Sequence, residues 1–582
     1  MLKNKKPISA SFRSVIKTRL IFISSLLLLF AITLIARLAD LQIVQHKALL
    51  AKSEKQPHRG TLKVHLGRGA IVDRNGNTLA TNLEVESVFV IPQEIRDRKY
   101  TSKVLAATLN QSYDRVYNEV TSGKRFAWIK RKVPVEEITH LKKSALSGVG
   151  FRSEQKRFYP KRELAANVLG FVGTDDLGLA GIEYTYQDKL KGIVYSQSIE
   201  QDGKGKNIQT LGNLSRSSIG NYDLMLTLDE VIQFTTEHLL KKQVQRYKAD
   251  SGMAVVMDPN SGDIYAMANI PQFNPNNFNK FVPEARKNNT VVSSYEPGSI
   301  FKPIVAAAAL DQGISQPNEK FFCENGNFKI GSKNIGEAAN HKFGLLTMRE
   351  IIANSSNIGA IKIAQKLGKD SFYEYIRKFG FGEKASIRLP GVSSGLLGKR
   401  KNWTELSLAS ISFGHEIAVT PLQMVVALSA IANGGTLMEP HITKALMREG
   451  KIIEEVKPKR IRRVISEKTS RQMKEILKFA VKDGTGKKAA VDGFDVAGKT
   501  GTAQKYIAAT RSYSKTEYVS SFIGYAPADA PRIVILVMID NPKGVNWGGV
   551  VAAPVFREIA SKSLRYLNVP SSKERVFILD RA

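Results

Sequence analysis

A serine and a lysine, Ser299 and Lys302, stand three residues apart, a spacing that suits nucleophilic catalysis. They follow Pro297 and Gly298, which predict a sharp turn, and they precede an apolar run of helix formers closed by Gly313. Both side chains would therefore share one face at a helix start. A serine hydroxyl is a weak nucleophile until a base takes its proton, and a desolvated lysine can be that base. The helix dipole would favour an oxyanion at Ser299.

This pair alone does not establish catalysis, because Ser-x-x-Lys is short. The same letters arise by chance as a helix cap followed by a surface lysine. A second piece, Ser355-x-Asn357, falls where one predicted helix is interrupted and the next, 358–367, begins. Two polar side chains in such a break are available to a neighbouring site.

A third piece, Lys499-Thr500-Gly501 followed by Thr502, lies in a stretch that alternates like a strand over 491–504. Gly501 would let a substrate backbone lie close to that strand. Lys499 would supply positive charge, and Thr500 and Thr502 would supply hydroxyls. Such a strand could bind a peptide by edge addition and anchor its terminal carboxylate.

The same region also fits the phosphate-loop pattern G-x-x-x-x-G-K-[ST], over Gly493 to Thr500. That interpretation would make the protein a nucleotide-dependent enzyme. A phosphate loop needs a strand before it and a helix after it, whereas here a helix and a loop precede it and strand-like segments follow. We therefore favour the interpretation in which Lys499 to Thr502 lie on a strand.

Bulk properties narrow the function classes. The chain has 582 residues, enough for two to four domains, and 43% hydrophobic content, enough for a large core. Its one cysteine, Cys323, rules out an intramolecular disulfide. The net charge of +33 predicts attraction to polyanions such as an anionic envelope. Nucleic acid is the least favoured partner, because the sequence has no zinc-finger cysteines, no bZIP-like heptad region and no aromatic RNP-like strand.

The N-terminus predicts a membrane anchor. Residues 1–19 are basic, and residues 20–36 form an uncharged run near the lower length limit of a membrane-spanning helix. A cleaved signal peptide is the alternative, but no clear small-x-small site follows, which favours an uncleaved signal anchor. The basic flank places the N-terminus in the cytoplasm and the rest of the chain outside the cytoplasmic membrane. A helix is predicted to continue over 41–66.

The rest of the chain divides into two regions that differ in their pattern of apolar and charged residues. Residues 67–220 mix short strands with charged helical stretches, such as the helix predicted for 135–143. From 221 onward, strand pairs at both ends of a long helical insertion predict a mixed sheet covered by helices, an α+β fold. Residues 533–539 are almost wholly apolar and predict a central strand. A helix over 553–566 would end this domain.

The three pieces, in this order and at these spacings, resemble a class B (monofunctional) penicillin-binding protein, a peptidoglycan D,D-transpeptidase. The middle piece is Ser-Ser-Asn rather than Ser-Asp-Asn, which argues mildly against a class A β-lactamase, as the anchor does more strongly. Further segments share the resemblance: Arg68 to Gly76, Leu79-Ala80, Tyr159-Pro160, Gly170 to Gly173, Gly181 to Glu183, Phe413 to Glu416 and Thr420 to Gln423.

The resemblance implies a penicillin-binding fold, mainly an antiparallel sheet covered by helices, after an elongated β-rich pedestal and one transmembrane helix. The implied division is a cytoplasmic tail at 1–19, a signal anchor at 20–40, a pedestal (dimerisation-type) domain at 41–220, a transpeptidase domain at 221–566 and a C-terminal tail at 567–582.

The resemblance also implies a mechanism. Ser299 would attack the penultimate D-alanine carbonyl of a stem peptide ending in D-Ala-D-Ala, with Lys302 as general base. Ser355 and Asn357 would relay protons and orient the peptide, while Lys499 would tune the site. Thr500 and Thr502, beside Gly501, would hold the terminal carboxylate. Backbone N–H groups of Ser299 and Thr502 would form the oxyanion hole, and β-lactams would trap Ser299 as an ester.

The implied partners are a membrane-embedded glycosyltransferase of the shape, elongation and division type, other divisome proteins and the cytoplasmic membrane. No metal or cofactor is implied, and His415 is interpreted as structural because it lacks a second histidine at the spacing of a zinc helix. The compact length favours a septal role. An elongation role, or a β-lactam-acylated sensor or scaffold without turnover, remains the alternative.

Overall fold

The protein is described here by a computed structural model covering residues 10–55, 59–65, 67–192, 194–201, 207–208, 221–507, 509–510 and 512–571. Parts of both predicted tails, residues 1–9 and 572–582, lie outside the described residues. The α-helices are α1 (Ala10–Ala39), α2 (His46–Lys55), α3 (Arg98–Leu109), α4 (Tyr113–Thr121), α5 (Val135–Lys143), α6 (Ala166–Leu169), α7 (Gly181–Thr185), α8 (Gln187–Leu190), α9 (Glu230–Arg246), α10 (Asn289–Val292), α11 (Lys302–Asp311), α12 (Met348–Asn354), α13 (Asn357–Leu367), α14 (Lys369–Lys378), α15 (Glu405–Ser412), α16 (Pro421–Ala432), α17 (Glu467–Lys482), α18 (Gly548–Val551) and α19 (Ala553–Tyr566).

The strands are β1 (Arg59–His65), β2 (Ile71–Val72), β3 (Thr78–Val90), β4 (Ala127–Val133), β5 (Val149–Phe158), β6 (Val194–Gln201), β7 (Asn207–Ile208), β8 (Asp223–Leu226), β9 (Ser251–Met257), β10 (Ile264–Ile270), β11 (Lys320–Phe322), β12 (Asn327–Ile330), β13 (Lys333–Gly336), β14 (Leu345–Thr347), β15 (Leu396–Leu397), β16 (Ile417–Ala418), β17 (Thr436–Met438), β18 (Thr443–Arg448), β19 (Lys451–Glu455), β20 (Arg460–Arg463), β21 (Ala497–Ile507), β22 (Ser512–Ala526) and β23 (Ile533–Asp540).

The chain forms two compact units, and the first contains residues 1–65 and 194–218. In it, α1 is followed by a π-helical turn, Asp40–Val44, and by α2. The segment Ser14–Val44 is long and apolar enough to cross a membrane. The predicted helix over 41–66 is correct for α2 but wrong for 59–65, which form β1 and pair with β6. The partner strand β6 lies far along the chain, so no pattern within residues 59–65 predicts this pairing.

The second unit contains residues 66–193 and 219–582. Its larger sheet has the order β19-β18-β8-β2-β3-β4, with β5 beside β3. Strand β2 pairs in parallel with β8, so that Ile71 lies opposite Leu224. This pairing joins the segment before residue 193 to the segment after residue 220 in one continuous sheet. The predicted boundary at residues 220 and 221 remains a prediction.

The other sheet of this unit positions the candidate site. Its order is β10-β9-β23-β22-β21, and every pairing in it is antiparallel. Alternate residues of β23 enter two different cores: Val537 packs in one with Phe556 of α19, and Leu536 packs in the other with Val305 of α11. The sheet is therefore covered by helices on both faces, which confirms the predicted fold class, and β23 is central as predicted. Strand β21 lies at the edge.

Several helices also match their predictions, including α5 and α19. Helix α11 is buried from Lys302 to Leu310, which explains why its sequence is apolar all round. Helices α12 and α13 are separated by a break at Ser355 and Ser356, as the sequence predicts.

Candidate active site

Ser299 lies in a 3-10 turn, Gly298–Phe301, that leads directly into α11. Gly298 has φ +57°, and a Cβ there would lie 2.9 Å from the Cβ of Ala503 on β21, so the turn requires glycine. The N–H of Gly298 donates to the carbonyl of Gly414 at 3.1 Å. Ser299 is partly exposed between buried neighbours. The turn thus presents one hydroxyl at the helix start, as predicted.

Lys302 is a buried amine surrounded by oxygen acceptors. It is 0% exposed. Its Nζ donates to the Ser355 carbonyl at 2.5 Å, to Asn357 Oδ1 at 2.8 Å and to Ser355 Oγ at 3.3 Å. Within the described ranges no carboxylate forms an ion pair with it. Burial lowers the pKa of Lys302 to about 7, and the negative charge of Glu337 opposes that shift. Near neutral pH a large share of this amine is unprotonated.

The break between α12 and α13 brings Ser355 and Asn357 to Lys302. Ser355 ends α12 in the left-handed region, with φ +61°. The Ser356 hydroxyl then caps α13 by accepting from the N–H of Gly359 at 2.9 Å. A serine in the left-handed region is unusual, and such strain persists only where surrounding bonds impose it. The two helix ends therefore aim both polar side chains at one point.

Lys499 enters from β21 and is 1% exposed. Its Nζ donates to Ser355 Oγ at 2.9 Å and to the carbonyl of Thr500 at 3.0 Å. Burial lowers the pKa of Lys499 well below its usual range, and the nearby positive charge of Lys302 lowers it further. Ser355 Oγ consequently lies between two buried amines, where it can exchange a proton with either.

Thr500, Gly501 and Thr502 continue along the edge strand. The hydroxyl of Thr500 lies 2.6 Å from that of Thr485. Thr502 Oγ1 accepts from the N–H of Gly548 at 3.0 Å, which leaves its own proton available to a ligand. A Cβ on Gly501 would lie 2.9 Å from a side-chain carbon of Ile300, so this glycine lets β21 pack against the nucleophile turn.

The prediction that residues 499–502 lie on a strand is confirmed. Residues 497–507 form β21, so Thr500 is followed directly by strand and not by a helix. A phosphate loop needs such a helix to receive the phosphates, so this geometry gives no support to nucleotide binding.

The predicted residues form one group. Lys302, Ser355, Asn357 and Lys499 are joined by hydrogen bonds, and Ser299 lies one turn before Lys302. In the part of the chain that the structure describes, the Ser299 side chain makes no hydrogen bond. It is therefore free to meet a substrate.

Sequence reasoning missed Glu337 and Thr485. The Glu337 carboxylate accepts from the Ser356 hydroxyl, from the N–H of Asn357 at 2.6 Å and from the N–H of Ile358 at 3.3 Å. It lies in a turn after β13 with no motif of its own. Nothing local in the sequence signals that this acid reaches the start of α13.

His415 lies near the nucleophile turn, where an aromatic ring and a carboxylate surround it. Its ring packs 4.7 Å from that of Tyr513, and its Nδ1 is 3.8 Å from Glu296 Oε2. Burial lowers the pKa of His415 to about 4, helped by the positive charge of Lys302. Glu296 also accepts from the Tyr513 hydroxyl at 3.1 Å. This packing fits the structural role predicted for His415.

Comparison with known families matches most of the second unit. Residues 252–561 match the penicillin binding protein transpeptidase domain, and residues 63–226 match the penicillin-binding protein dimerisation domain. All the candidate site residues lie inside the first match.

Curated relatives align along nearly the whole chain. Stage V sporulation protein D of Bacillus subtilis is 36% identical over 96% of this chain and 88% of its own. The peptidoglycan D,D-transpeptidase FtsI of Escherichia coli is 31% identical over 95% of this chain and 92% of its own. Among solved structures, penicillin-binding protein 3 of Mycobacterium tuberculosis, complexed with aztreonam, superposes with a TM-score of 0.69 at 28% identity, covering 88% of this chain and 98% of the other.

Proposed function

This chain belongs to the penicillin-binding protein transpeptidase family, and we propose from that premise that Ser299 cross-links peptidoglycan through an acyl-enzyme. The Ser299 oxygen attacks the penultimate D-alanine carbonyl of a stem peptide ending in D-Ala-D-Ala. An ester forms, the peptide bond breaks, and the last D-alanine leaves with a proton on its amine. An amine of a second stem peptide then attacks the ester, forms an amide and returns the proton to Ser299.

The observation that carries this proposal is the state of Lys302. It is buried one turn after Ser299, has no carboxylate partner among the described residues, and has its pKa lowered to about 7. A neutral amine has two N–H donors, which the Ser355 carbonyl and Asn357 Oδ1 accept, and one lone pair. That lone pair can take the proton of Ser299 during attack.

The proton then needs a path to the leaving amine. Ser355 Oγ lies 3.3 Å from Lys302 Nζ and accepts from Lys499 Nζ at 2.9 Å. Because Lys499 occupies one lone pair, the Ser355 hydroxyl can donate toward the substrate while Lys302 replaces its proton. Ser355 is thus the relay between the base and the leaving group.

The edge strand β21 would bind the stem peptide that is cleaved. A substrate peptide that adds to the edge of β21 would place its terminal carboxylate near Lys499 and the hydroxyls of Thr500 and Thr502. The Thr502 hydroxyl already accepts from the protein and so has its proton free for that carboxylate. The backbone N–H groups of Ser299 and Thr502 serve as the oxyanion hole: the first N–H groups of a helical turn have no intrahelical acceptor, and Thr502 lies on the edge strand β21.

A β-lactam presents a reactive carbonyl and a carboxylate at a similar spacing. The solved relative with aztreonam is a complex of that protein, and the matching fold supports the same inhibitor class for this chain. Acylation by a β-lactam would stop at the ester on Ser299.

The first unit contains the helix that would determine the cellular location of the protein. Helix α1 anchors the chain in the cytoplasmic membrane by a single pass, with the basic N-terminus in the cytoplasm and the bulk of the chain on the extracytoplasmic (periplasmic) side. The 63–226 segment and the anchor would contact a membrane-embedded glycosyltransferase and other divisome proteins. A septal role is favoured by the chain's compact length, with an elongation role as the alternative.

A turnover assay tests the function. Full-length protein in detergent is incubated with a stem pentapeptide and an acceptor peptide carrying a free side-chain amine. We expect released D-alanine together with cross-linked dimer, and neither product with Ser299→Ala of unchanged melting temperature. Acylation by penicillin without any peptide turnover, also in the presence of the acceptor, would favour the sensor or scaffold alternative.

A further inference from the structure

Glu337 is a buried carboxylate at the N-terminus of α13, the helix that begins with Asn357. Its oxygens accept from the Ser356 hydroxyl and from the N–H groups of Asn357 and Ile358. The residue is 7% exposed. A carboxylate is stabilised at a helix start by the dipole and by the N–H groups that lack acceptors. Every donor that Glu337 binds belongs to the turn around Ser355 and Asn357.

We propose that Glu337 is a positioning residue of the transpeptidase reaction, which holds this turn in its working conformation and places a negative charge near Lys302. The inference rests on the proposed function, in which Lys302 is the base for Ser299. Glu337 itself does not touch the substrate.

The geometric part of this role follows from how few bonds fix the turn. Ser355 has φ +61°, a conformation that costs a serine free energy unless its neighbours are held. Next to it, the Ser356 N–H binds the carbonyl of Ile351 while its hydroxyl binds Glu337. The Asn357 side chain also donates to the carbonyl of Gly336, the residue before Glu337, at 3.0 Å. The Glu337 segment thus fixes the α13 end of the turn that supplies Ser355 and Asn357 to Lys302.

The electrostatic part follows from the charges around Lys302. Lys499 faces it from β21, and His415, whose lowered pKa leaves it neutral, faces it from the loop before β16. Glu337 is the carboxylate whose charge raises the pKa of Lys302 against the effect of burial. Without that charge the protonated amine would be less stable, and the base form would persist to lower pH.

The surroundings of Glu337 are otherwise close to neutral. The thiol of Cys323 lies 3.6 Å from the Ser356 hydroxyl. Lys362 and Glu324, the charged pair next to Cys323, form an ion pair with each other. Replacing Glu337 therefore removes one net negative charge from this side of the turn.

The test is the pH profile of acylation by a fluorescent penicillin, measured on full-length Glu337→Gln in detergent. Glutamine keeps the size, removes the charge and sets an NH2 group against N–H donors. We expect a plateau rate about tenfold below that of the parent, because Ser355 and Asn357 lose their placement. We also expect the acid limb, the pH range over which the acylation rate falls as the pH decreases, to move to lower pH by about 0.5–1 unit. Loss of packing alone would not produce this shift.

Glu237→Gln is the control for loss of a buried carboxyl group far from the turn; because burial raises the pKa of Glu237 to about 7, it controls for packing rather than for charge. Glu237 is also 7% exposed and accepts from the N–H of Ala165 at 2.9 Å and from Gln233 at 2.7 Å, in α9 away from the turn. We expect this variant to keep the parent's acid limb, whatever its melting temperature. An acid limb of Glu337→Gln that coincides with those of the parent and the control would overturn the inference.

Glu337→Asp separates the two roles and replaces the glutamine variant if that one does not fold. Aspartate keeps the charge but is one methylene shorter, so we expect a lower plateau with the acid limb of the parent. An unchanged plateau would contradict the geometric role. A parent that penicillin does not acylate, or a Ser299→Ala variant that it does, would instead contradict the proposed function and leave the role of Glu337 without its basis.

Discussion

Two clusters in the second unit each bury a pair of cationic side chains, and they compensate the charge in opposite ways. Lys302 and Lys499 are 0% and 1% exposed and bind hydroxyl, amide and carbonyl oxygens. Arg68 and Arg157 are also buried, but both bind the carboxylate of Glu183, with Nε to oxygen distances of 2.5 and 2.6 Å. Among the described residues, the lysines of the first cluster have no carboxylate partner, and the arginines of the second share one.

The consequence is a division of labour. An arginine fork stays protonated and binds a carboxylate with fixed geometry, so the Glu183 cluster ties together three segments that are distant in sequence. Tyr159 joins it by donating to Glu183 at 3.2 Å. A buried lysine without a carboxylate has its pKa lowered and can take up a proton near neutral pH, as Lys302 is placed to do. In this molecule, the buried cationic side chains that are placed for catalysis are therefore the lysines that lack a carboxylate partner among the described residues.

The largest expected effect comes from removing the amine of the uncompensated cluster. Lys302→Met should lower the rate of acylation by penicillin by about 10³-fold, because it removes the amine placed to take the proton of Ser299. Its melting temperature should fall less than that of a Glu183 variant, since no buried counter-ion is left behind. Stopped-flow fluorescence and thermal unfolding measure the two. Acylation within tenfold of the parent would assign the base role to another residue.

The second prediction removes the counter-ion of the compensated cluster. Glu183→Gln leaves Arg68 and Arg157 buried without a carboxylate, which should cost about 3–5 kcal/mol of stability. The matched control is Glu558→Gln, which breaks an exposed ion pair with Arg557 and should change stability by less than about 1 kcal/mol. Equal melting temperatures for the two variants would show that the buried cluster does not hold the fold.

The third prediction concerns pH. Since burial lowers the pKa of Lys302 to about 7, its base form is lost as pH falls through that value. The acylation rate should therefore decrease by about tenfold per pH unit below pH 7 and level off above it. The melting temperature reports folding separately over the same range. A rate that stays level down to pH 5 would mean that Lys302 is not the group that titrates.

The smallest expected effect lies on the edge strand. Thr502→Val removes a hydroxyl whose proton is free for a ligand carboxylate, and it should weaken penicillin binding before acylation by about tenfold. Thr502→Ser should restore the parent's value, because it restores the hydroxyl. Concentration dependence of the acylation rate separates binding from chemistry. A valine variant with unchanged binding would place the carboxylate elsewhere.

Much of the fold was predictable because its signals are local. The continuous apolar run of β23, the cap at Asp229 that begins α9, and the glycine turn before Ser299 each act within a few residues. The strand at 59–65 was missed because its pairing with β6 is not local. The same limit applies to the site: Ser299, Lys302 and Lys499 belong to recognisable patterns, whereas Glu337 reaches α13 from a turn without one.

Intact mass spectrometry after incubation with penicillin tests the central claim, that Ser299 forms the covalent intermediate beside an uncompensated lysine. Full-length protein, Ser299→Ala and Lys302→Met are treated side by side near neutral pH. We predict one added penicilloyl mass on the parent, none on Ser299→Ala, and on Lys302→Met only a trace at times that saturate the parent. A full adduct on Ser299→Ala, or equal labelling of Lys302→Met and the parent, would contradict the account.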